Sequence, residues 1–301
     1  MILPVYLTAF LIIIIFSFWL SLSFVERYSK LSIHQSLETV LKLTEESLQL
    51  QLDSHLEHIG GITHNAEFLQ LTQALLLEHK NGLNLTRSEI QNQLRTLIKN
   101  KLHQIKAIRF SIIAPNRISI ASQRNSNVGS ENIINQQGKN YLDWAFLGES
   151  QFIPTITDNS NASTIFIACP IFDSDANVIA VFALQLNSID DFSRITELGR
   201  IGKTGKTYTL DSKEQLITPS LLIKMYKSNN GNSGSSNIVL PTYITNSGRN
   251  MTEGPAPKLA MQDSPLTLMV RQIIANNTFP HLEPYLDYRG VSVFGAWTWN
   301  Q

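Results

Sequence analysis

The chain has 301 residues, room for two domains of ordinary size. Lys plus Arg and Asp plus Glu are 24 each, so the formal net charge is zero, and no basic field is available to hold nucleic acid or to steer anionic substrates. Cys169 is the only cysteine, which excludes an intramolecular disulfide framework and cysteine-rich zinc sites.

Residues 2–25 carry no charged side chain and are rich in Ile, Leu and Phe. A helix needs about 20 apolar residues to cross a bilayer core, so this stretch reads as a transmembrane helix. Tyr6 and Trp19 suit its two interfaces. The alternative is a cleaved signal peptide with Ser21-Leu22-Ser23 as a poor cleavage site. No Lys or Arg precedes the run, and the run is long for that role. Arg27 and Lys30 follow the span, which by charge alone favours a cytoplasmic C-terminal side.

Leu31, Leu37, Val40, Leu41, Leu48, Leu52, Leu56 and Ile59 then recur at three- and four-residue steps, with Glu38, Lys42, Glu45 and Glu46 between them. Residues 26–80 are expected to form a long helical stalk, broken or bent at Gly60-Gly61 because paired glycine is costly inside a helix. Its apolar face packs on its own domain or on a second copy. Pairing through Leu37, Leu41, Leu48 and Leu52 gives a homodimer.

Residues 81–84 read as a loop and 88–103 as a helix with Ile90, Leu94, Leu97, Ile98 and Leu102 on one face. Residues 105–113 are a strand; the turn at Ala114-Pro115-Asn116-Arg117 leads into a second one. Residues 125–138 are polar and loop-like, 141–146 a short aromatic helix, and 151–156 a strand. Two apolar runs around the polar break at 173–177 form a hairpin, since Asp and Asn bond their own backbone and tolerate left-handed conformations. Neither run alternates cleanly with polar residues, so both faces should be largely covered, with the hairpin at the sheet centre. The order describes an antiparallel sheet with helices packed on one side.

Beyond the hairpin, 188–198 read as a helix capped by Ser188, 206–210 and 215–218 as a hairpin, 229–237 as a low-complexity loop, 265–275 as a helix and 291–298 as a strand. Gly199, Gly202 and Gly205 invite a phosphate-loop reading. The spacing fails, because Arg200 stands where the first glycine belongs, and a tight turn remains. His55 and His58 share a helix face near His64 without a matching third ligand, on a face that otherwise reads as solvated. No motif calls for a metal or cofactor, and no catalytic signature is present. Tyr141, Trp144 and Phe146 beside Asp143 and Asp158 are residues of the kind that line a small-ligand pocket, or are ordinary core and surface.

The run from Thr164 to Phe192 (TIFIACPIFDSDANVIAVFALQLNSIDDF) resembles the Cache sensor domains, in which a Pro-containing strand, a D-x-(D/N) turn and a following apolar strand recur. Residues 199–220 (GRIGKTGKTYTLDSKEQLITPS) are similar to the entry of the membrane-proximal half of a double Cache module. Thr252-Glu253-Gly254-Pro255-Ala256-Pro257, Tyr288-Arg289-Gly290-Val291 and Gly295-Ala296-Trp297-Thr298-Trp299 are similar to motifs that close that half. The likeness covers residues 32–301.

The resemblance implies an α+β chain: a transmembrane helix (1–25), the stalk (26–80), a membrane-distal PAS-like antiparallel sheet unit (81–192) and a proximal one (193–301) left incomplete at Gln301. It implies an extracytoplasmic ligand-sensing module of a transmembrane receptor, foremost a sensor histidine kinase, otherwise a chemoreceptor or diguanylate cyclase, with any catalytic output domain beyond Gln301. A membrane-tethered envelope hydrolase is the reading from a different class. The family places residues 26–301 in the periplasm of a bacterium, tethered to its inner membrane, against the charge of Arg27 and Lys30. The expected ligand-binding residues are Arg109, Ser111, Tyr141, Trp144, Asp158 and Gln185. Amino-acid-binding relatives carry an Arg where this chain has Gly138, a Trp where it has Asn140 and an Asp where it has Gln185. Without that Arg and Asp, an amino acid loses its charge-assisted partners. A neutral or anionic small molecule is therefore expected.

Overall fold

The computed structural model describes residues 2–136, 140–157, 163–186, 191–202, 205–210, 265–275 and 281–298, with single positions at 244, 246, 248 and 250. Gly138, Asp158, Ser188, the strand expected at 215–218, the loop at 229–237 and the motif at 252–257 lie outside them. Helix α1 runs Ile2–Thr63 and α2 Ala66–Lys80. Among the described residues, α1 is the one helix long and apolar enough to cross a membrane, and its apolar end is unburied. The hydroxyls of Ser36, Thr39 and Thr44 donate back to the i−4 carbonyls of Ser32, Gln35 and Val40, sharing acceptors of the helix ladder. The helix does not break at Gly60-Gly61; it passes through and ends three residues later. Two glycines cost about 1 kcal/mol each. Burying Ile59 and Ile62, 0% and 4% exposed, gains roughly 1.5–3 kcal/mol each. The break falls at His64-Asn65, where the Asn65 side chain accepts from the Phe68 N–H and starts α2.

Helix α3 (Glu89–Ile105) is capped by Ser88 and leads into β1 (Ala107–Ile113) and β2 (Ser119–Ser122). Short helices α4 (Ile133–Gln136) and α5 (Tyr141–Phe146) precede β3 (Gln151–Thr157), β4 (Ser163–Phe172) and β5 (Val178–Leu186). The segment read as a loop at 125–138 thus contains α4 and a single 3-10 turn at Asn125–Asn127. The five strands form one antiparallel sheet in the order β2-β1-β5-β4-β3, with the hairpin strand β5 in the middle. The β4–β5 turn is held by Asp173, whose carboxylate accepts from the N–H groups of Asp175 and Asn177 at 2.9 and 2.8 Å. The backbone bond from Asn177 holds this carboxyl below the ordinary carboxylate value.

One sheet face carries Phe110, Ile112, Ile165, Ile167, Phe182 and Leu184, packed against Phe68, Leu75, Leu94 and Ile98 of α2 and α3. The other carries Ile113, Ile153, Phe166, Ala168, Val181 and Ala183 under Ile134, Leu142 and Ala145 of α4 and α5. Helices therefore cover both faces, not one side alone. The expected coverage of both faces of the hairpin holds. Helix α3 also fastens the edge strand: Gln91 donates to the Ile120 carbonyl at 2.7 Å and Arg95 to that of Ser122 at 3.0 Å.

After α6 (Asp191–Leu198) come α7 (Leu268–Ile274) and a two-stranded antiparallel sheet of β6 (His281–Leu286) and β7 (Ser292–Gly295). The strand expected at 291–298 is shorter, and its partner β6, interrupted by Pro284, is not visible in the pattern. Helix α7 starts at Leu268, three residues later than expected. A Cβ at Gly295 would collide with the Tyr285 hydroxyl, so the absence of a side chain there is what lets that ring lie across the strand. Tyr285 meets Trp297 edge-on at 5.8 Å. Contacts divide the chain into two units, one of Met1–Glu45, Gly199–Lys206 and Ile244–Gln301, the other of Glu46–Leu198 and Thr207–Tyr243. In the first, Lys30 of α1 reaches Glu26 at 3.0 Å and Glu283 of β6 at 3.8 Å.

Candidate functional site

Strand register assembles the candidate site. Arg109 of β1 stands opposite Gln185 of β5, and Gln185 opposite Phe166 of β4. Directly paired residues share a face with Cβ atoms about 4.5–5.5 Å apart. A guanidinium, a carboxamide and a phenyl ring thus form one row on the side covered by α4 and α5. The next row is Ser111, Ala183 and Ala168, two of them without bulk. Arg109 is half-buried. Gln185 is 8% exposed, and no hydrogen bond to its carboxamide occurs among the described residues. Its carboxamide keeps donor and acceptor capacity that a ligand group can use.

Ser111 lies on this side, but its hydroxyl is engaged. Asn132, itself 5% exposed, donates from Nδ2 to Ser111 at 3.1 Å and to Ser119 at 3.0 Å. The Asn132 Oδ1 accepts from the Ile134 N–H at 3.0 Å, and its own N–H donates to the Arg117 carbonyl at 3.0 Å. Ser111 therefore positions the head of α4. Tyr141 is half-buried and packs beside Leu142 and Ala145. Trp144 is 50% exposed, turned away from the sheet while Leu142 and Ala145 face it. The structure so puts Arg109, Ser111 and Gln185 on one sheet face, packs Tyr141 against the apolar cluster of that side, leaves Trp144 exposed, and does not describe Asp158.

Sequence reasoning misses Asn132 and Arg117. Arg117 takes a left-handed backbone (φ 68°) in the β1–β2 turn, donates to the Asp143 carboxylate, and lies 4.3 Å from the Phe146 ring centre. An Asn in a polar loop and an Arg in a turn give no local sign of partners 13 to 29 residues away.

The other motifs resolve as structure. His55 is buried, 4% exposed, beside Gln51, while His58 on the same face and His64 are exposed. Gly205 donates to the Ile201 carbonyl at 3.1 Å, where a Cβ would meet that carbonyl, which makes the glycine stretch a tight turn. Residues 206–209 form no regular strand. Burial pushes the Cys169 thiol up to about 11, against the opposing pull of a hydrogen bond with Ser150.

No family model matches the chain, and comparison with curated proteins finds no match. Solved structures do match. The E. coli DcuS sensor domain aligns with 50% of this chain and 96% of its own length, at 15% identity and TM-score 0.37. The V. cholerae histidine kinase DctB sensor domain aligns with 59% of this chain and 66% of its own, at 18% identity and TM-score 0.38. The ligand-binding domain of the Campylobacter jejuni chemoreceptor Tlp3, in complex with L-norvaline, aligns with 63% of this chain and 70% of its own, at 16% identity and TM-score 0.38.

Proposed function

We propose that this chain is the extracytoplasmic ligand-sensing module of a transmembrane signal-transduction receptor, foremost a sensor histidine kinase. Helix α1 tethers it to a bacterial inner membrane, with residues 26–301 in the periplasm. Residues 81–192 form the distal unit that takes the ligand, and 193–301 the proximal one. The observation that carries the reading is the Arg109–Gln185–Phe166 row: a cation and a carboxamide with no hydrogen bond among the described residues, beside small apolar residues, on the sheet side away from the main core. No described strand residue on that side is acidic, and the cation of Arg109 stands there, which favours a neutral or anionic group over a primary ammonium. The ligand is a neutral or anionic small molecule.

A thermal-shift screen of small metabolites on the full chain in nanodiscs tests this. A ligand at about 100 times its Kd stabilises the folded state by about 2.7 kcal/mol. For a protein of this size that raises Tm by several degrees. Small carboxylates or neutral polar compounds should give the hits, and Arg109→Ala or Gln185→Leu should remove them. If primary amines dominate the hits, or both variants respond in full, the assignment is wrong.

The receptor reading includes a homodimer, and we place its seam on another side of α1 than Leu48 and Leu52, which are partly covered by the chain's own core. Ile33, Leu43 and Leu50 are 42%, 56% and 70% exposed on another side of α1, with Ser36 and Ser47 between them at steps near 3.5 residues. Two parallel copies meeting there bring each Leu50 close to its twin. Leu50→Cys and Leu43→Cys should give disulfide-linked dimers in membranes, with little background from the buried Cys169. Equal cross-linking at Leu48→Cys would show that the helices do not pair on this side.

A further inference from the structure

The side of the sheet bearing Arg109 and Gln185 is covered by α4 and α5, which bury Ile134, Leu142 and Ala145 against it. Helix α5 has six residues, of which Leu142 and Ala145 are buried. A helix so short does not persist on its own hydrogen bonds. Besides the burial of Leu142 and Ala145, a fastening comes from the neighbouring hairpin. The Arg117 guanidinium pairs with Asp143 and lies over the ring of Phe146. Those two residues are i and i+3, neighbours on one helix face, so a single side chain grips a full turn. The Arg117 carbonyl also accepts from the Asn132 N–H at the head of α4.

We infer that Arg117 is a clasp: α5 forms a flap that opens locally from the sheet, and the clasp sets how often it does. Ligand entry beneath the flap rests on the site assigned above; the clasp itself rests on the contacts just given. Two features keep it weak enough to release. The Asp143 side chain is 54% exposed, so the ion pair is screened by water. The Arg117 Nη1 is buried with no hydrogen-bond partner, so the closed flap leaves a donor unsatisfied. Opening returns that donor to water.

Hydrogen exchange on the full chain in nanodiscs tests the clasp without any ligand. The α5 amides of Asp143, Trp144 and Leu147 are bonded within the flap and report its opening. They should exchange about 2- to 5-fold faster in Asp143→Asn and about 2- to 30-fold faster in Phe146→Leu, with the amides of β5 unchanged. Arg117→Gly suits the left-handed backbone there and should do the same without straining the turn. If the α5 amides keep their rates in all three variants, Arg117 holds nothing. If α5 and β5 accelerate together, the flap opens only with the whole domain, and the inference fails. A flap that behaves as expected in a protein that binds no metabolite would overturn the ligand reading and leave the clasp standing.

Discussion

Asp287→Ala should open the β6–β7 hairpin and cost about 3–5 kcal/mol, the usual loss when one partner of a buried ion pair is removed. Asp287 is 5% exposed and divides its work between two oxygens. Oδ1 accepts from the N–H groups of Arg289 and Val291 at 2.8 and 3.1 Å, which shapes the turn. Oδ2 takes the Arg289 guanidinium at 2.7 and 2.6 Å. Gly290 follows with φ 70°, a conformation that penalises a side chain. Losing the carboxylate removes the ion pair of a guanidinium whose side chain is 15% exposed. Exchange of the amides in residues 281–295 should accelerate by more than 100-fold, the equivalent of about 3 kcal/mol. Asp287→Asn keeps an acceptor for the turn but not the ion pair, and should fall between. A change below tenfold in Asp287→Ala would mean that backbone bonds alone hold the hairpin.

Phe182→Ala should destabilise the larger unit by about 3–5 kcal/mol in urea unfolding, with Phe182→Leu losing distinctly less. The ring is fully buried in the central strand and stands edge-on to Phe68 of α2, centroids 5.3 Å apart at 75°. Phe110 of β1 lies 6.1 Å away on the same side. Truncation removes the contact that joins α2 to the sheet and leaves a cavity that three elements would have to collapse to fill. A loss under 1 kcal/mol would show that the core closes freely around the gap, and that Phe68 does not depend on the sheet for its position.

Features set by neighbours in the chain were legible from the sequence. The uncharged run at 2–25 fixes an apolar helix by composition. The three- and four-residue recurrence of apolar residues fixes α2 and α3, and the Asp173–Asn177 break fixes the β4–β5 hairpin, because side-chain direction repeats locally in helices and strands. The shared face of Arg109 and Ser111 follows from the same rule.

What depended on distant partners was decided only by the fold. The helix crosses Gly60-Gly61 because the core rewards burying Ile59 and Ile62. Strand β6 forms despite Pro284 because β7 pairs with it. The sequence places Ser111 on a ligand-facing strand, but Asn132, 21 residues away, claims its hydroxyl. It likewise offers Trp144 as a pocket wall, whereas the burial of Leu142 and Ala145 rotates that ring outward. Arg117 meets Asp143 across 26 residues through a turn whose geometry no local period encodes. Propensity and period act within a few residues; register and helix rotation are settled by the packing free energy of the assembled layers, which outweighs them.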